Sequence, residues 1–373
     1  MSPRVWAEVD LAAVRHNLKE IRAHVGLRVA VMPVVKADAY GHGAAEIARA
    51  ATMAGCDWLG VATVAEGADL RQRVPGASIA LLAPFLADEA DEIVRLRLTP
   101  LVSDLDGARA LALAGQRGRT AARVHLEVDT GMGRSGALPG DVARLATHLG
   151  RMGSIVATGI ATHFPCAETD PEATRRQLAT LLKATAEVRA TDTTLQLVHC
   201  ASSAALLLYP ESRLDMVRPG LLVYGIVPPV PPAVPVPPVR RALTLKTRVV
   251  LVRQLPVGAA VSYGATRILD RPTRVATLPV GYGDGYPRAL GNVGRVLVGG
   301  RSAPILGRIC MDMTLADVTD IPEAEVGSEV VLIGTQGEAA IGVEEIARTT
   351  DTTEHDVTTR LTPRVPRRYL GAS

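Results

Sequence analysis

The sequence contains few aromatic residues, few cysteines and no long apolar run. Aromatic residues make up only 3% of the 373 residues although 47% are hydrophobic, so a core must be built mainly from Ala, Val and Leu. The four cysteines are too widely separated for a metal-ligand spacing or for the disulfide framework of a small secreted protein. Since no apolar run is long enough to cross a bilayer, we expect no membrane-spanning segment.

Charge is not concentrated anywhere along the chain. The formal net charge is +3, and basic and acidic residues are interspersed. The sequence lacks the basic tracts with interleaved aromatic residues that are typical of nucleic-acid-binding proteins. Its first ten residues lack the apolar region of a secretory signal. We therefore expect a cytoplasmic protein that binds neither nucleic acid nor membranes.

The N-terminal part of the chain alternates between strand-like and helix-like runs. The strand-like runs lie near residues 29–35, 58–62, 78–83, 98–102, 121–128, 153–162, 195–199 and 213–217. The helix-like runs lie at about 11–24, 43–54, 64–73, 86–96, 104–114, 139–150 and 171–190. Such alternation is typical of parallel strands joined by crossover helices, and eight strands predict an α/β fold, a (β/α)8 TIM barrel. An open doubly wound sheet is the main alternative, but no Gly-x-Gly-x-x-Gly follows the first strand.

A proline-rich segment divides the sequence, whose length favours two domains. Residues 228–238 contain seven prolines in eleven positions, a density that excludes a helix or a central strand. We interpret the segment as a stiff connector, with a docking peptide for a partner as the alternative.

Beyond the connector, short runs punctuated by Gly and Pro predict a mostly antiparallel β domain with a small helix near 343–349. The strand-like runs lie at 243–251, 274–278, 295–298, 303–309 and 329–333. We therefore predict a barrel over 11–228, a connector over 229–240, and a β domain over 241–373 that the N-terminal strand 1–10 joins.

Five polar residues fall where predicted barrel strands end. They are Lys36, Arg134, His163, His199 and Arg218. Chemistry in barrels gathers in the loops at the carboxyl ends of the strands, so we expect these side chains to share one rim. Singly, each histidine is more often a hydrogen-bonded structural residue and each arginine a surface charge. Together they predict a cation-rich cup suited to an anionic cofactor and a carboxylate substrate.

Two further features of this rim carry chemistry. Lys36 ends an apolar run, where desolvation disfavours the charged amine, and a neutral amine is what Schiff-base chemistry needs. The alternative for a lone lysine is a side chain that reaches out to water. Loops after the seventh and eighth strands of barrels often bind phosphate, and the hydroxyl and N–H groups of Ser202, Ser203, Gly220 and Leu221 lie in those loops.

The stretch that begins at Lys36 resembles the pyridoxal 5′-phosphate (PLP) lysine motif of the alanine racemase family. It reads Lys36-Ala37-Asp38-Ala39-Tyr40-Gly41-His42-Gly43. Further stretches resemble the same family in order along nearly the whole chain, and they are Arg218-Pro219-Gly220, Val261-Ser262-Tyr263-Gly264, Gly281-Tyr282-Gly283-Asp284-Gly285, Gly307-Arg308-Ile309-Cys310-Met311-Asp312 and Arg364-Val365-Pro366-Arg367. The resemblance implies an N-terminal barrel with a C-terminal β domain, PLP as the cofactor, and a head-to-tail homodimer whose active sites are shared between subunits.

By this resemblance the chain interconverts L-alanine and D-alanine, usually to supply D-alanine as a peptidoglycan precursor. Removing the Cα proton from one face of the amino acid and returning it on the other needs two acid–base groups. The resemblance assigns Lys36 to the D side and Tyr263 of the partner subunit to the L side. Because a free tyrosine has a pKa of about 10, it needs help, which the family draws from the residues matching His163 and Arg218.

The remaining roles also come from the resemblance. It implies cofactor contacts for Tyr40, His163, His199, Ser203, Arg218, Gly220, Leu221 and His355. It implies substrate contacts for Arg134, Met311, Tyr282 and Asp312. Arg218 is the most discriminating of these residues, because a guanidinium facing the pyridine nitrogen cannot accept its proton, whereas related barrel decarboxylases place a carboxylate there.

Three residues depart from the family pattern. Glu127 stands where many members carry a carbamylated lysine paired with the arginine matching Arg134, and we hypothesise that Glu127 supplies the same negative charge; a solvated strand-end charge is the alternative. His355 stands where a tyrosine usually contacts the cofactor phosphate, so that this contact becomes pH-dependent. Ser202 replaces a common asparagine. His355 and Ser202 leave strict specificity for alanine open.

Three other functions are alternatives to alanine racemisation. A broader racemase of serine or other small amino acids is the nearest, and motifs alone do not separate it. A PLP-dependent decarboxylase on the same fold is disfavoured by Arg218. A non-catalytic PLP-binding protein is disfavoured by the β domain with Tyr263. We expect no metal site under any of these functions.

Overall fold

The computed structural model describes residues 3–191 and 194–371. The chain divides into two compact units. The barrel unit consists of residues 14–39 and 44–240. The sheet unit consists of the N-terminal residues through Ala13, the short segment Tyr40–Gly43 and the residues from Arg241 onward. Within the described residues, every helix is too short or too polar to cross a membrane.

The strands and helices have the following bounds. The strands are β1 (Val5–Asp10), β2 (Ala30–Val31), β3 (Trp58–Val61), β4 (Ser78–Leu81), β5 (Leu98–Val102), β6 (Ala122–Glu127), β7 (Ile155–Ala161), β8 (Leu197–His199), β9 (Met216–Val217), β10 (Leu243–Arg248), β11 (Leu251–Leu255), β12 (Ala260–Val261), β13 (Arg267–Ile268), β14 (Thr273–Leu278), β15 (Arg295–Val298), β16 (Arg301–Pro304), β17 (Thr314–Asp317), β18 (Glu329–Gln336), β19 (Ala339–Ile341) and β20 (Arg367–Leu370). The helices are α1 (Leu11–Val25), α2 (Ala44–Met53), α3 (Val64–Arg73), α4 (Ala90–Arg95), α5 (Leu105–Arg117), α6 (Val142–Gly150), α7 (Pro171–Arg189), α8 (Ser203–Leu208), α9 (Val343–Thr349) and α10 (Glu354–Thr359).

Eight parallel strands form a nearly closed barrel in the barrel unit. Their order is β2-β9-β8-β7-β6-β5-β4-β3. The gap between β2 and β3 is spanned by a parallel bridge between Val34 and Gly60. There the N–H of Val35 donates to the carbonyl of Gly60 at 2.8 Å, and the N–H of Gly60 donates to the carbonyl of Pro33 at 2.9 Å. The predicted TIM barrel is confirmed, and the open doubly wound sheet is excluded.

Local sequence signals explain where several barrel helices begin. Asp104 caps α5 by accepting from the N–H of Gly107 at 2.7 Å. Asp170 caps α7 in the same way, with Pro171 in the first turn. Side chains such as Asp accept one of the N–H groups that the first turn of a helix leaves unpaired. Inside the barrel, the core is mainly aliphatic, as the composition predicts.

The first barrel strand is much shorter than predicted. The expected strand over 29–35 contains only Ala30 and Val31 as regular strand. Pro33 has no N–H to donate, and proline interrupts a central strand for that reason. Lys36 therefore follows an irregular segment rather than the strand itself. The predicted helix over 86–96 is likewise shorter, because α4 begins only at Ala90 after a 3-10 turn.

The sheet unit is mostly antiparallel. Its largest sheet has seven strands, with the path β16-β15-β18-β10-β1-β20 and with β19 paired to β18. The N-terminal strand β1 runs antiparallel to β10 and parallel to β20. A three-stranded sheet, β11-β14-β17, and a two-stranded ribbon, β12-β13, complete the unit.

Two predicted strands of the sheet unit were wrong in extent. In the run over 243–251, β10 ends at Arg248 and only Leu251 belongs to the next strand, β11, which lies in a different sheet. The change occurs at Val249 and Val250, whose N–H groups donate to the carbonyls of Ser328 and Thr277 respectively. The run over 303–309 stops being a strand at Pro304. The helix α10 and the strands β12, β13, β17, β19 and β20 were not predicted.

The proline-rich connector contains neither helix nor strand over residues 229–240. It bends twice, because the N–H of Val234 donates to the carbonyl of Pro231 and the N–H of Val239 donates to that of Pro237. Its end is fastened to α1 by Asn17, whose side chain exchanges two hydrogen bonds with the backbone of Arg240, at 2.6 and 2.8 Å. The segment is therefore a bent, anchored connector and not one stiff rod.

Candidate active site

Arg218 lies at the centre of the polar cluster at the strand ends of the barrel unit. It follows β9 and is buried. One guanidinium nitrogen, Nη1, donates to Nδ1 of His199 at 2.7 Å, and the other, Nη2, donates to the carbonyl of Thr162 at 2.7 Å. Nη2 also lies 3.4 Å from Nδ1 of His163. The ends of β7, β8 and β9 thus converge on one guanidinium, as the strand-end argument predicts.

Within the described part of the chain, Arg218 forms no ion pair. Its hydrogen-bond acceptors are two histidine nitrogens and two backbone carbonyls. Burial lowers the pKa of this guanidinium, while the Glu127 carboxylate opposes that effect, and a buried charge without an opposite charge in contact with it is unfavourable. An electron-rich or anionic group placed against Arg218 would relieve that cost.

The hydrogen bonds of Arg218 determine the proton positions on two buried histidines. A guanidinium only donates, so Nδ1 of His199 must be the acceptor and its proton must be on Nε2. That nitrogen lies 2.8 Å from Nδ1 of His125, which must then accept and carry its own proton on Nε2. Burial lowers the pKa of His199 well below its usual value and that of His125 to about 3, so both rings are neutral.

His125 was not identified by sequence reasoning. It lies within β6, is fully buried, and its Nε2 has no hydrogen-bond partner among the residues that the structure describes. Gly159 on β7 leaves room for its ring, because a Cβ at Gly159 would lie 2.6 Å from it. The available signal was its spacing of two residues from Glu127, which places both side chains on one face of the strand.

The positive charges of this cluster lower the pKa values of Lys36 and His163. Burial lowers the pKa of the Lys36 amine, and Arg134 and Arg218 lower it further, while Glu66 opposes them. Burial, together with Arg218, Arg134 and Lys36, lowers the pKa of His163 to about 3. The site therefore favours a neutral amine at Lys36 and a neutral imidazole at His163.

Glu127 and Arg134 do not form the expected pair. The Glu127 carboxylate is buried and accepts from the hydroxyls of Ser103 at 3.1 Å and Ser135 at 2.9 Å. Arg134 is exposed and forms no ion pair with it in the described residues. Hydroxyl groups from a neighbouring strand end and from the loop itself contact the carboxylate instead. The burial excludes a solvated strand-end charge, and that Glu127 supplies the negative charge near Arg134 stays a prediction.

The loop that carries Arg134 is shaped by Asp129. Its carboxylate accepts from the backbone N–H groups of Gly131, Met132 and Gly133, and these bonds lower the pKa of Asp129 despite some burial. This leaves Arg134 at the edge of a small cavity whose lining includes Glu127 and His163.

The loops after β8 and β9 meet at Ser203. Its hydroxyl oxygen accepts from the N–H of Gly220 at 3.0 Å and from that of Leu222 at 3.3 Å. Leu221 begins a 3-10 turn directly after Gly220. Ser202 caps α8 by accepting from the N–H of Ala205 at 3.4 Å. The structure thus brings together the residues in which the sequence predicts a phosphate site.

In the sheet unit, Tyr40 lies against His355. The ring centroids are 5.2 Å apart. Tyr40 is buried, and burial raises the pKa of its hydroxyl to about 12, so the hydroxyl keeps its proton. His355 is exposed on α10. Gly41 is needed beside them, since a Cβ there would lie 2.2 Å from the carbonyl oxygen of Thr358.

Tyr263 is 70% exposed in a short 3-10 turn of the sheet unit. Ser262, just before it, has a φ of 63°, in the left-handed region that non-glycine residues rarely adopt. The Ser262 hydroxyl donates to the carbonyl of Arg308 at 2.5 Å, and it lies 3.5 Å from Sγ of Cys310. A strained residue that its neighbours hold in place thus presents Tyr263 to solvent.

The other substrate-contact candidates of the sheet unit lie together. The N–H of Tyr282 donates to the carbonyl of Cys310 at 3.2 Å, and the N–H of Gly283 donates to that of Met311 at 2.9 Å. Tyr282 and Met311 are 42% and 53% exposed. Asp312 pairs with Arg364 at 2.7 Å, so its carboxylate is engaged with this arginine.

The described residues contain no cluster of His, Cys, Asp or Glu that could hold a metal ion. The polar groups that contact Arg218 are instead neutral imidazoles and backbone carbonyls, and Ser203 adds a hydroxyl in the neighbouring loops. Such a donor set suits a phosphate, a carboxylate and an aromatic nitrogen better than a cation.

Models of two protein domains match this chain. The model described as "Alanine racemase, N-terminal domain" matches residues 9–228, and "Alanine racemase, C-terminal domain" matches residues 242–369. The alanine racemase of Symbiobacterium thermophilum is 43% identical over 98% of this chain and 97% of its own length. That of Halothermothrix orenii is 38% identical over 98% of this chain and 96% of its own length.

Solved structures show the same fold. The alanine racemase of D-cycloserine-producing Streptomyces lavendulae superimposes with a TM-score of 0.94 at 36% identity, covering 100% of this chain and 98% of that one. The alanine racemase of Bartonella henselae, solved with covalently bound pyridoxal phosphate, superimposes with a TM-score of 0.89 at 28% identity, covering 99% of this chain and 100% of that one.

Proposed function

The chain belongs to the alanine racemase family of PLP-dependent isomerases, and from that premise we propose that it interconverts L-alanine and D-alanine with two acid–base residues. These are Lys36 and Tyr263 of the partner subunit. The observation that carries the proposal is the buried Arg218, which has no carboxylate partner among the described residues and lies among neutral imidazoles near a lysine with a lowered pKa.

The barrel residues fit PLP. The hydroxyl of Ser203 and the N–H groups of Gly220 and Leu221 would hold the phosphate. Arg218, supported by His199 and His163, would face the pyridine nitrogen. The fit rests on the buried guanidinium, which forms no ion pair among the described residues, and on the loops that meet at Ser203. When bound, PLP withdraws electrons from the Cα–H bond of the amino acid.

Lys36, Tyr263 and Arg218 then have distinct roles in the proton transfer. Lys36 removes or returns the Cα proton on the D side, and the neutral amine that this needs is favoured by its lowered pKa. Tyr263 of the partner subunit does the same on the L side. The Arg218 guanidinium is always charged and can only donate, so the pyridine nitrogen facing it would accept that hydrogen bond and stay unprotonated. This favours prompt return of the Cα proton over side reactions.

The substrate contacts come from both units of the fold. Arg134 and the backbone at Met311 of the partner subunit would hold the substrate carboxylate, and Tyr282 of the partner subunit would line the pocket. The exposure of Tyr263, Tyr282 and Met311 within one chain supports a homodimer in which they reach a second copy. Glu127 would act through Ser135, next to Arg134, rather than on the arginine directly.

The experiment is to incubate the purified protein with PLP and L-alanine in heavy water and to follow D-alanine and deuterium at Cα. Appearance of both supports racemisation of alanine. Deuterium without inversion would mean that Lys36 exchanges its proton while the Tyr263 side fails. If neither appears with PLP bound, alanine is the wrong substrate, and serine would be tested next because His355 and Ser202 alter the family pattern.

A further inference from the structure

The backbone directly after Lys36 is left-handed. Ala37, Asp38, Ala39 and Tyr40 all have φ between 51° and 54°. Residues with a Cβ rarely adopt this conformation, and a run of four of them is less favourable than a right-handed turn of the same length. Such a turn persists only where neighbouring groups hold it.

A side chain in the first turn of α3 contacts this turn. The carboxylate of Glu66 accepts the N–H of Ala37 through Oε1 at 2.7 Å. Its second oxygen, Oε2, accepts the N–H groups of Ala62 at 2.8 Å and Thr63 at 3.2 Å. Glu66 thereby ties the residue that follows Lys36 to the start of α3.

Two further hydrogen bonds stabilise the turn, and both connect it to residues that are close in sequence. The N–H of Ala39 donates to the carbonyl of Val35 at 2.9 Å. The carboxylate of Asp38 accepts the N–H of Ala44 at 2.8 Å, at the start of α2. Both are local in sequence. Glu66, by contrast, joins the turn to the first turn of α3, 29 residues from Ala37.

We propose that Glu66 is a positioning residue that holds the left-handed turn after Lys36 and so aims the Lys36 amine at the Cα of the substrate. The proposal rests on the proposed function, because it takes Lys36 as the acid–base group on the D side. The Glu66 carboxylate also raises the pKa of Lys36, against the effects of burial, Arg134 and Arg218. Position and charge therefore both link Glu66 to the reacting amine.

A purely structural role for Glu66 is the competing explanation. Glu66 and Thr63 form a capping box at the start of α3, in which the N–H of Glu66 donates to the Thr63 hydroxyl at 3.2 Å. Thr63→Ala removes that cap and leaves the contact between Glu66 and Ala37. Glu66→Gln disturbs the contact with the turn, because an amide group offers one acceptor where the carboxylate offers two. These variants form a matched pair.

The first measurement is amide hydrogen exchange of the full-length protein over residues 36–40. We expect exchange at Ala37 to be faster by roughly tenfold in Glu66→Gln, since a hydrogen bond to a charged group is lost, and unchanged in Thr63→Ala. This readout does not depend on catalysis. Equal exchange in Glu66→Gln and the wild type would overturn the proposal.

The second measurement is the kinetics of the PLP-loaded enzyme with alanine deuterated at Cα. Glu66→Gln should lower kcat by roughly tenfold or more, as expected for a displaced acid–base group. Because only the Lys36 step is slowed, the isotope effect on kcat/KM should rise from D-alanine and fall from L-alanine. Thr63→Ala should leave both isotope effects at the wild-type values.

The outcomes separate the two proposals. Equal losses in Glu66→Gln and Thr63→Ala, with unchanged isotope effects, would overturn the positioning role and leave only helix capping. A wild-type enzyme that does not racemise alanine would overturn the proposed function. In that case hydrogen exchange at Ala37 would still show whether Glu66 holds the turn.

Discussion

At the strand ends of the barrel unit, Arg218 and His199 are buried and hydrogen-bonded to one another, whereas Tyr263 and Met311 of the sheet unit are 70% and 53% exposed. The barrel-unit residues Arg218 and His199 are held in place by contacts within one chain. The sheet-unit residues lie on an exposed face, where side chains of this kind usually await a partner surface.

This difference indicates which parts of the site are preorganised by folding and which need assembly. Neutral histidines around a guanidinium need no rearrangement to receive an electron-rich ring. Tyr263 directly follows Ser262, whose hydroxyl donates to the carbonyl of Arg308, and the Tyr263 side chain itself is exposed. It becomes a useful base only where a second chain supplies a different environment.

The largest expected effect comes from removing one acid–base residue, Lys36 of the barrel unit or Tyr263 of the sheet unit. Lys36→Ala and Tyr263→Phe should each lower alanine racemisation by roughly a hundredfold or more, as loss of a positioned acid–base group does. Lys19→Ala, which removes an exposed lysine of α1, is the control. Mixed dimers, purified from two differently tagged variant chains, should recover about half of the wild-type activity, because one of their two sites has both residues intact. Mixed dimers as inactive as the parent variants would mean that the site is not shared.

The buried histidines of the barrel unit predict a strong effect of acid on stability. Burial lowers the pKa of His125 and His163 to about 3 in the folded protein, whereas an unfolded histidine takes up a proton near pH 6.5. The free energy of unfolding should therefore fall as the pH decreases from about 6.5 towards 3, by up to about 1.4 kcal/mol per pH unit for each histidine.

Urea unfolding of the full-length protein between pH 7 and pH 5 checks this slope. His125→Asn removes one of the titrating groups, so its stability should depend less on pH than that of the wild type. A variant with the wild-type slope would show that His125 does not titrate on unfolding.

The sequence predicted the barrel well because its signals are local and repeated. Alternating apolar periodicity located the strands, and residues such as Asp104 and Asp170 mark helix starts. It did not predict the break of the first strand, since the apolar pattern continues across Pro33. Nor did it locate the change of sheet at Val249, where two adjacent valines pair with different strands and no turn residue intervenes.

The site was predicted less completely than the fold. Strand-end residues such as Arg218 and His199 were found because topology alone brings them together. His125 lies in the middle of β6, and its partner is 74 residues away, so no motif contains the pair. The partners of Glu127 were also missed, because Ser103 is 24 residues away in sequence, and only the folded barrel places its hydroxyl beside the carboxylate.

A smaller effect should come from replacing His125, which accepts the hydrogen bond from Nε2–H of His199. His125→Leu leaves the Nε2–H of His199 buried without an acceptor, which costs about 1–3 kcal/mol of unfolding free energy. His125→Asn should lose less at pH 7, because its Oδ1 can occupy the place of Nδ1 and accept the same hydrogen bond. Comparing urea midpoints of the two variants tests the proton assignment. A more stable Leu variant would contradict it.

The smallest expected effect concerns the hydrogen bonds that the Glu127 carboxylate accepts from two serine hydroxyls. Glu127→Gln keeps the shape of the side chain but offers only one acceptor to the hydroxyls of Ser103 and Ser135. The loop that carries Arg134 should loosen, so the KM for alanine should rise by roughly threefold to tenfold while kcat changes little, in line with the loss of one hydrogen bond. Glu172→Gln, at a carboxylate that is 88% exposed, is the control. An unchanged KM in Glu127→Gln would mean that the buried carboxylate supports the fold of the loop without affecting how Arg134 binds the substrate.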